Sequence, residues 1–474
     1  VSLRVLFVVS ECVPIVKVGG LGDVAGALPA ALVRRGHDVR VLLPRYRAAK
    51  RFPARQHPAP FIVPLGDGPR GTAVWEGRLD GGVPVYLLEH DWLYERDGIY
   101  GDAGGEYGDS LVRYALLARA ASLMGDYLGV SFDLLHLHDW QAALAAVYVA
   151  ELGGPVTVLT VHNLGYQGRF PREAYAAVGL GWERFGASGL DHWGGVNVLA
   201  GGLSRATMLS TVSPRYAHEV QTAEGGAGLD GLLRARGADL VGILNGIDER
   251  LWDPRTDPII TARYDEHALE GKAACKRALQ EALGLEVRAE LPLAGVVTRF
   301  AEQKGIDLVL GALDALLAGD LQIVVLGSGD RWAEDALRER AARSARLRVH
   351  VGHDEALAHH IMAAADLFLM PSRYEPCGLA QMYAQRYAAL PVVRAVGGLD
   401  DTVEHEVTGF KFAAPSAAAL ADAVLCACAV RRERPERFAA MQRAAMREPR
   451  SWDNAAAQYE ALYRMALAKR PRAP

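Results

Sequence analysis

Three short stretches combine charge and glycine with strand ends in ways that can do chemistry. The first, Lys17-Val18-Gly19-Gly20-Leu21-Gly22-Asp23, follows an apolar run and opens a helical pattern. Glycines there let backbone N–H groups approach an anion or a sugar at a helix N-terminus, and Lys17 adds a mobile positive charge. The stretch has neither G-x-G-x-x-G nor Walker A spacing, which disfavours a dinucleotide or ATP P-loop site; the plainer reading is a tight turn with a solvated lysine. In the second, Arg299 and Lys304 bracket one strand-to-helix loop that ends in Gly305. Two fixed cations can neutralise a diphosphate leaving group, the largest electrostatic demand in glycosyl transfer from a nucleotide sugar; otherwise they are a surface pair. The third, Arg373-Tyr374-Glu375-Pro376-Cys377-Gly378-Leu379, sets a carboxylate between a very apolar strand and a helix N-terminus. Glu375 there can hold sugar hydroxyls or balance charge as a leaving group departs, or simply cap the helix.

Further polar groups end strands in the first half: His136-Leu137-His138-Asp139-Trp140 and Val161-His162-Asn163-Leu164. Strand alternation puts His136 and His138 on one side, which makes His136 a core histidine while Asp139 emerges at the rim. The spacing matches no H-E-x-x-H or other zinc ligand set, so no metal is expected. Gly327-Ser328-Gly329 is a weaker candidate for backbone donors.

These residues need elements to hold them. Short β-branched runs alternate with Ala/Leu-rich helical runs along the whole chain, the signature of parallel sheets built from βαβ units. Strands are expected over 3–9, 38–43, 83–88, 134–138 and 156–161, with a helix from the first glycine loop to about Arg35, stopped by Gly36 and kinked at Pro29. The pattern restarts with strands over 293–298, 321–326, 347–351, 366–370 and 391–393, so two doubly wound domains are expected, their ligands beyond the carboxyl ends of the strands. Val18-Gly-Gly-Leu-Gly-Asp23 echoes Val396-Gly-Gly-Leu-Asp-Asp401, a hint of duplication. Between the halves, the stretch from Asn245 to Tyr264 reads as a linker. The last stretch, Asn454 to Lys469, is amphipathic, with Tyr459, Leu462, Tyr463 and Leu467 at helical spacing, and Arg470 to Pro474 reads as a frayed tail.

Composition excludes several classes. The 474 residues are 50% hydrophobic and 23% charged, ordinary for a chain with sizeable cores. A net charge of −4 gives no global field for nucleic acid or an anionic membrane. Cys12, Cys275, Cys377, Cys426 and Cys428 are few, odd in number and scattered, which points to thiols in a reducing compartment and hence to the cytoplasm. The apolar run after Arg4 reads as a buried strand rather than a signal peptide, because Glu11 interrupts it, and no run is long enough to span a membrane.

Together these stretches resemble the bacterial glycogen synthase and plant starch synthase family, glycosyltransferase family five, of the GT-B fold. The resemblance covers essentially the whole chain and rests on Lys17 to Asp23, His138-Asp139-Trp140, Thr160 to Gly168, Thr211-Val-Ser-Pro214, Gly242 to Asp248, Gln303-Lys304-Gly305 and Pro371 to Leu379. It implies an α/β chain with two Rossmann-like doubly wound parallel-sheet domains facing across a deep cleft. Residues 1–245 would be the N-terminal catalytic domain, 246–453 the nucleotide-sugar-binding domain, and 454–474 a helix crossing back to the first. The implied reaction is retaining transfer of glucose from ADP-glucose to the non-reducing 4-hydroxyl of an α-1,4-glucan such as glycogen, with no obligatory metal or other cofactor. Carried over by position, Lys17 and the Gly19-Gly20 backbone would contact the donor diphosphate and sugar. Arg299 and Lys304 would stabilise departing ADP, and Glu375 would bind the glucose hydroxyls with Cys377 and Gly378 in support. His162, Asn163, Asp139, Tyr100 and Asn245 would complete the sugar site, His162 offering its backbone carbonyl to the anomeric centre, with Glu11 and Asp23 bracing this shell.

No carboxylate pair of the glycosidase kind is evident, which favours departure and attack on one face, with domain closure excluding water. The chain departs from the pattern in places. Tyr383 stands where related retaining transferases carry a second glutamate, which fits this family; His353 stands where a tyrosine commonly stacks on adenine; and Ala200 stands where a lysine is frequent. The alternatives are a UDP-glucose-preferring transferase, a catalytically silent glucan-binding homologue, and a phosphorylase, which would need a pyridoxal lysine. Mere binding does not demand two cations at a leaving group. Oligomeric state is left open.

Overall fold

The computed structural model describes residues 2–102 and 104–469; the tail from Arg470 to Pro474 lies outside them. The chain forms two compact units, one running to Gly246 and resuming at Trp452, the other Ile247–Ser451.

The first unit is built on one large sheet. Its order is Leu240–Gly242, Met208–Thr211, Val156–Val161, Leu134–His138, Arg4–Val8, Asp38–Pro44, Pro84–Glu89, Gly68–Arg78, Ala54–Gln56, with Phe61–Leu65 also paired to Gly68–Arg78. The strands Leu134–His138 and Val156–Val161 are buried along their whole length, as unbroken apolar runs must be when helices cover both faces. From Leu240 to Glu89 every pairing is parallel, but Gly68–Arg78 runs antiparallel to Pro84–Glu89 and carries antiparallel partners of its own. The expected parallel sheet is present and carries an antiparallel extension at this edge. Gly68, Pro69, Gly71 and Gly77 interrupt the β-branched pattern that would have shown this strand in the sequence.

Helix Gly20–Arg34 starts directly at the glycine loop and contains Pro29 without interruption. Helix Trp452–Ala468 belongs to this unit. Tyr459, Leu462 and Tyr463 are buried, Leu467 packs against the same core, and Arg34 and Arg35 pair with Asp453 and Glu460. Its Tyr463 hydroxyl lies 2.8 Å from His136 Nδ1 in the middle of the sheet's core.

The second unit holds a six-stranded sheet in the order Leu347–Val351, Gln322–Gly327, Leu293–Val297, Leu367–Met370, Leu390–Arg394, Phe410–Phe412. All its pairings are parallel, so the loops after its strands emerge from one edge. The stretch read as a linker is part of this unit from Ile247 onward. Trp252 is stacked between His359 and Tyr383, at ring distances of 3.9 and 4.3 Å, and Asp253 accepts from Arg386 at 2.6 Å. Aromatic stacking and a buried carboxylate thus anchor what the Pro and Asp content made look loose. Among the described residues no helix is long and apolar enough to cross a membrane.

Candidate active site

In the second unit, backbone hydrogen bonds run from loop to loop along the carboxyl edge of the sheet. Gly352 N–H donates to Gly327 O at 2.8 Å, Phe300 N–H to Ser328 O at 2.8 Å, Arg373 N–H to Gln303 O at 2.8 Å, and Gly398 N–H to Glu375 O at 3.0 Å. The loops that carry His353, Arg299, Lys304 and Glu375 are thereby joined in series. Gly305 makes one of these joints possible. Its φ is +69°, and a Cβ there would sit 2.2 Å from Pro371 O, so a side chain would drive the two loops apart.

At that joint Lys304 Nζ donates to Glu375 Oε2 at 2.6 Å, and Ser372 Oγ donates to the same oxygen at 3.0 Å. The side chains are 19% and 6% exposed; Glu375 Oε1 has no hydrogen-bond partner among the described residues. Arg299 is exposed on the same loop, 3.4 Å from Gln303 Oε1. Cys377, two residues after Glu375, is buried, and Gly378 turns the chain with φ +72° so that Gln381 can donate back to the carbonyls of Cys377 and Gly378. His353 is exposed at the far end of this series of loops.

In the first unit the glycine loop is held by Glu11. Its Oε2 accepts from Val18 N–H at 2.6 Å and Gly19 N–H at 2.8 Å, while Tyr100 donates to Oε1 at 2.7 Å. Ser10 Oγ is 2.8 Å from the same phenol oxygen. Gly20 begins the helix, whose N-terminus has no side-chain cap. Lys17 is half exposed and pairs with Asp23 at 2.7 Å. Burial holds the Tyr100 phenol well above its ordinary range, with the Glu11 charge pushing the same way, so it stays a donor.

Asp139 adopts a left-handed φ of +54° at the end of Leu134–His138. That turn brings Oδ1 to His162 N–H at 2.6 Å and Asn163 N–H at 3.4 Å. Its carboxyl is pushed up to about 7 by burial, with the two backbone donors pulling down and Glu11 adding a smaller push up. Asp139 therefore engages the backbone of the 162–163 loop and aims it. Asn163 Oδ1 in turn accepts from Gly165 N–H at 2.9 Å. Burial drives the His162 imidazole down to about 3 and those of His136 and His138 well below the usual range, so all three are neutral. Beside this loop opens a cavity of about 350 Å³ lined by Glu106, Trp140, Tyr166, Gln167, Arg169 and Phe170, among others. Asn245 is buried, with Oδ1 unpartnered, on the loop after the edge strand. Ala200 is buried in the first turn of helix Val198–Arg205, where its N–H meets Asn197 Oδ1.

Each unit thus gathers its own set: in the first, Glu11 with Gly19 and Tyr100, and Asp139 with the backbone of His162 and Asn163; in the second, Lys304 with Glu375, followed by Cys377 and Gly378. Among the described residues, no side-chain hydrogen bond joins Asn245 or His353 to the set in its own unit. Sequence reading overlooked Ser372 and Ser10, whose hydroxyls hold Glu375 and Tyr100; only their places one or two residues past apolar strands marked them. Among the described residues no group of three or more His, Cys, Asp or Glu side chains is arranged to hold a metal ion.

Comparison with known proteins shows the family. A starch synthase catalytic domain model matches residues 4–235, and a glycosyl transferases group 1 model matches residues 292–429. Glycogen synthase 1 of Geobacter metallireducens is 46% identical, covering 99% of this chain and 97% of the relative. A glycogen synthase of Anaeromyxobacter dehalogenans is 49% identical over 98% of this chain and 99% of the relative. The catalytic domain of starch synthase IV from Arabidopsis thaliana, solved with ADP and acarbose, has a TM-score of 0.91 at 32% identity and covers 99% of this chain and 100% of that one. With relatives this similar over nearly its full length, the chain belongs to the glycogen synthase and starch synthase family of glycosyltransferases, with the GT-B fold.

Proposed function

We propose that this chain transfers glucose from ADP-glucose to the non-reducing 4-hydroxyl of an α-1,4-glucan, with retention of configuration and without a metal or other cofactor, in the cytoplasm. The observation that carries the reading is the Lys304–Glu375 pair, fixed across two loops at 2.6 Å. The carboxylate keeps Oε1 for sugar hydroxyls, and a cation held beside it stabilises negative charge on a departing diphosphate. Arg299 adds a second, mobile cation. The complex of the Arabidopsis relative with ADP supports ADP as the leaving group.

The remaining roles follow from the same reaction. Lys17 and the Gly19-Gly20 backbone contact diphosphate and sugar. Asp139 aims the His162 carbonyl at the anomeric carbon through the loop's N–H groups, and Asn163, Tyr100 and Asn245 complete the sugar site. The glycosidic C1–O bond to phosphate breaks and the new C1–O bond forms on the same face. The proton of the acceptor hydroxyl passes to the departing phosphate oxygen, so no protein base is required.

The test is the product. Maltotriose and ADP-glucose should yield a tetrasaccharide whose new linkage is α-1,4 by proton NMR; a β linkage, or free glucose alone, contradicts the proposal. A second reading, preference for UDP-glucose, is favoured by one observation. The exposed residue expected beside the base is His353 rather than tyrosine.

A further inference from the structure

His138 takes no part in the roles assigned above, yet it touches His162 directly. Its ring is fully buried, with centroids 4.1 Å from His136 and 4.8 Å from Phe7. Its Nδ1 lies 2.9 Å from His162 Nε2. Its own Nε2 is buried without a partner. A single proton lies between the two facing nitrogens, and where it resides decides the tautomer of both neutral rings. If His162 donated, His138 would carry its proton on Nε2, a buried N–H with no acceptor. If His138 donates, the orphan is a bare lone pair. Orphaned buried N–H groups are the rarer of the two, and donation by His138 leaves the His162 proton on Nδ1, the ring nitrogen that no described residue hydrogen-bonds.

We infer that His138 is a positioning residue: its Nδ1–H donates to His162 Nε2 and fixes His162 as the tautomer that presents an Nδ1–H donor to an oxygen of the transferred sugar. Only the identity of that oxygen's owner rests on the proposed glucosyl transfer; the tautomer stands on the geometry of the free protein. His136, held by Tyr463 Oη on one nitrogen at 2.8 Å and Thr160 Oγ1 on the other at 2.7 Å, supplies the fixed wall against which His138 packs.

The test is long-range proton–nitrogen correlation NMR on the full chain labelled with nitrogen-15 histidine, with His162 identified by its loss in His162→Gln. The expected pattern is a protonated Nδ1 and a bare Nε2 on His162; the reverse overturns the inference, whatever the activity. In His138→Phe the His162 pattern should become a mixture of tautomers, with kcat down about tenfold and KM for ADP-glucose nearly unchanged, as for a misoriented group. His138→Asn, whose amide can again donate near the lost Nδ1, should restore both pattern and rate. A changed tautomer with unchanged kcat overturns the positioning role. Wild-type protein that shows the Nδ1–H pattern but transfers no glucose counts against the proposed reaction and leaves the tautomer assignment standing.

Discussion

Lys304 and Glu375, 71 positions apart in sequence, meet at 2.6 Å with most of both side chains withdrawn from solvent. The pair closes the joint between the loop after Leu293–Val297 and the loop after Leu367–Met370. Glu375→Ala and Lys304→Ala should each lower turnover by at least about 100-fold, as expected for lost electrostatic stabilisation. Because either single change leaves a buried charge without its partner, a double-mutant cycle on stability should show strong coupling, the double variant being less destabilised than the sum of the singles. Urea denaturation of the four proteins checks this; additivity would mean that the pair is not energetically linked.

Lys17 behaves differently because it is half exposed and its pair with Asp23 lies at the surface. Lys17→Ala should cost at least about 100-fold in turnover but less than about 1 kcal/mol in stability, the range of an exposed ion pair. Steady-state kinetics beside a thermal melt separate the two effects.

Gly305→Ala places a Cβ against Pro371 O at a left-handed φ. The conformational penalty alone is about 1–2 kcal/mol, and the steric overlap adds to it. The variant should be destabilised by at least about 2 kcal/mol in urea and should lose activity with it, because Lys304 precedes the displaced residue.

The histidine cluster sets an acid limit. His136, His138 and His162 are held neutral when folded, whereas their ordinary value is 6.5. Stability from these groups is present above that value and is lost as pH falls. Asp139, raised from 3.8 to about 7, has the opposite sign: its contribution is present at low pH and lost as pH rises towards 7. Below the ordinary histidine value the three histidines outnumber the one opposing carboxyl, so the unfolded chain binds more protons than the folded one and stability falls with acid. Asp139→Asn removes the opposing proton, so its stability should fall more steeply with acid than that of the wild type. Urea midpoints at about pH 5 and 6 measure both slopes, and a flat wild-type profile would contradict the account.

Much of this was legible because strand-to-loop transitions carry it. Leu134–His138 and Val156–Val161 coincide with the apolar runs that announce them, and Glu375 and Lys304 stand out as charges next to glycine at strand ends. Pairing between them was not legible, since nothing local specifies that Gly305 must lie against Pro371. Gly68–Arg78 escaped notice because its glycines dilute the β pattern and its stability comes from neighbours on both sides. Asp139 reads from sequence as a rim carboxylate of the sugar site; its left-handed backbone, invisible in the sequence, is what brings Oδ1 to the His162 and Asn163 N–H groups. Trp252 looked like part of a connector until its stacking partners, His359 and Tyr383, were brought to it by tertiary structure.

Incorporation of labelled glucose into glycogen, compared between ADP-glucose and UDP-glucose with and without a chelator, tests the central claim most directly. The account predicts efficient transfer from ADP-glucose, much weaker transfer from UDP-glucose, and no effect of chelation. Preference for UDP-glucose, loss of activity with chelator, or no transfer from either donor would contradict it.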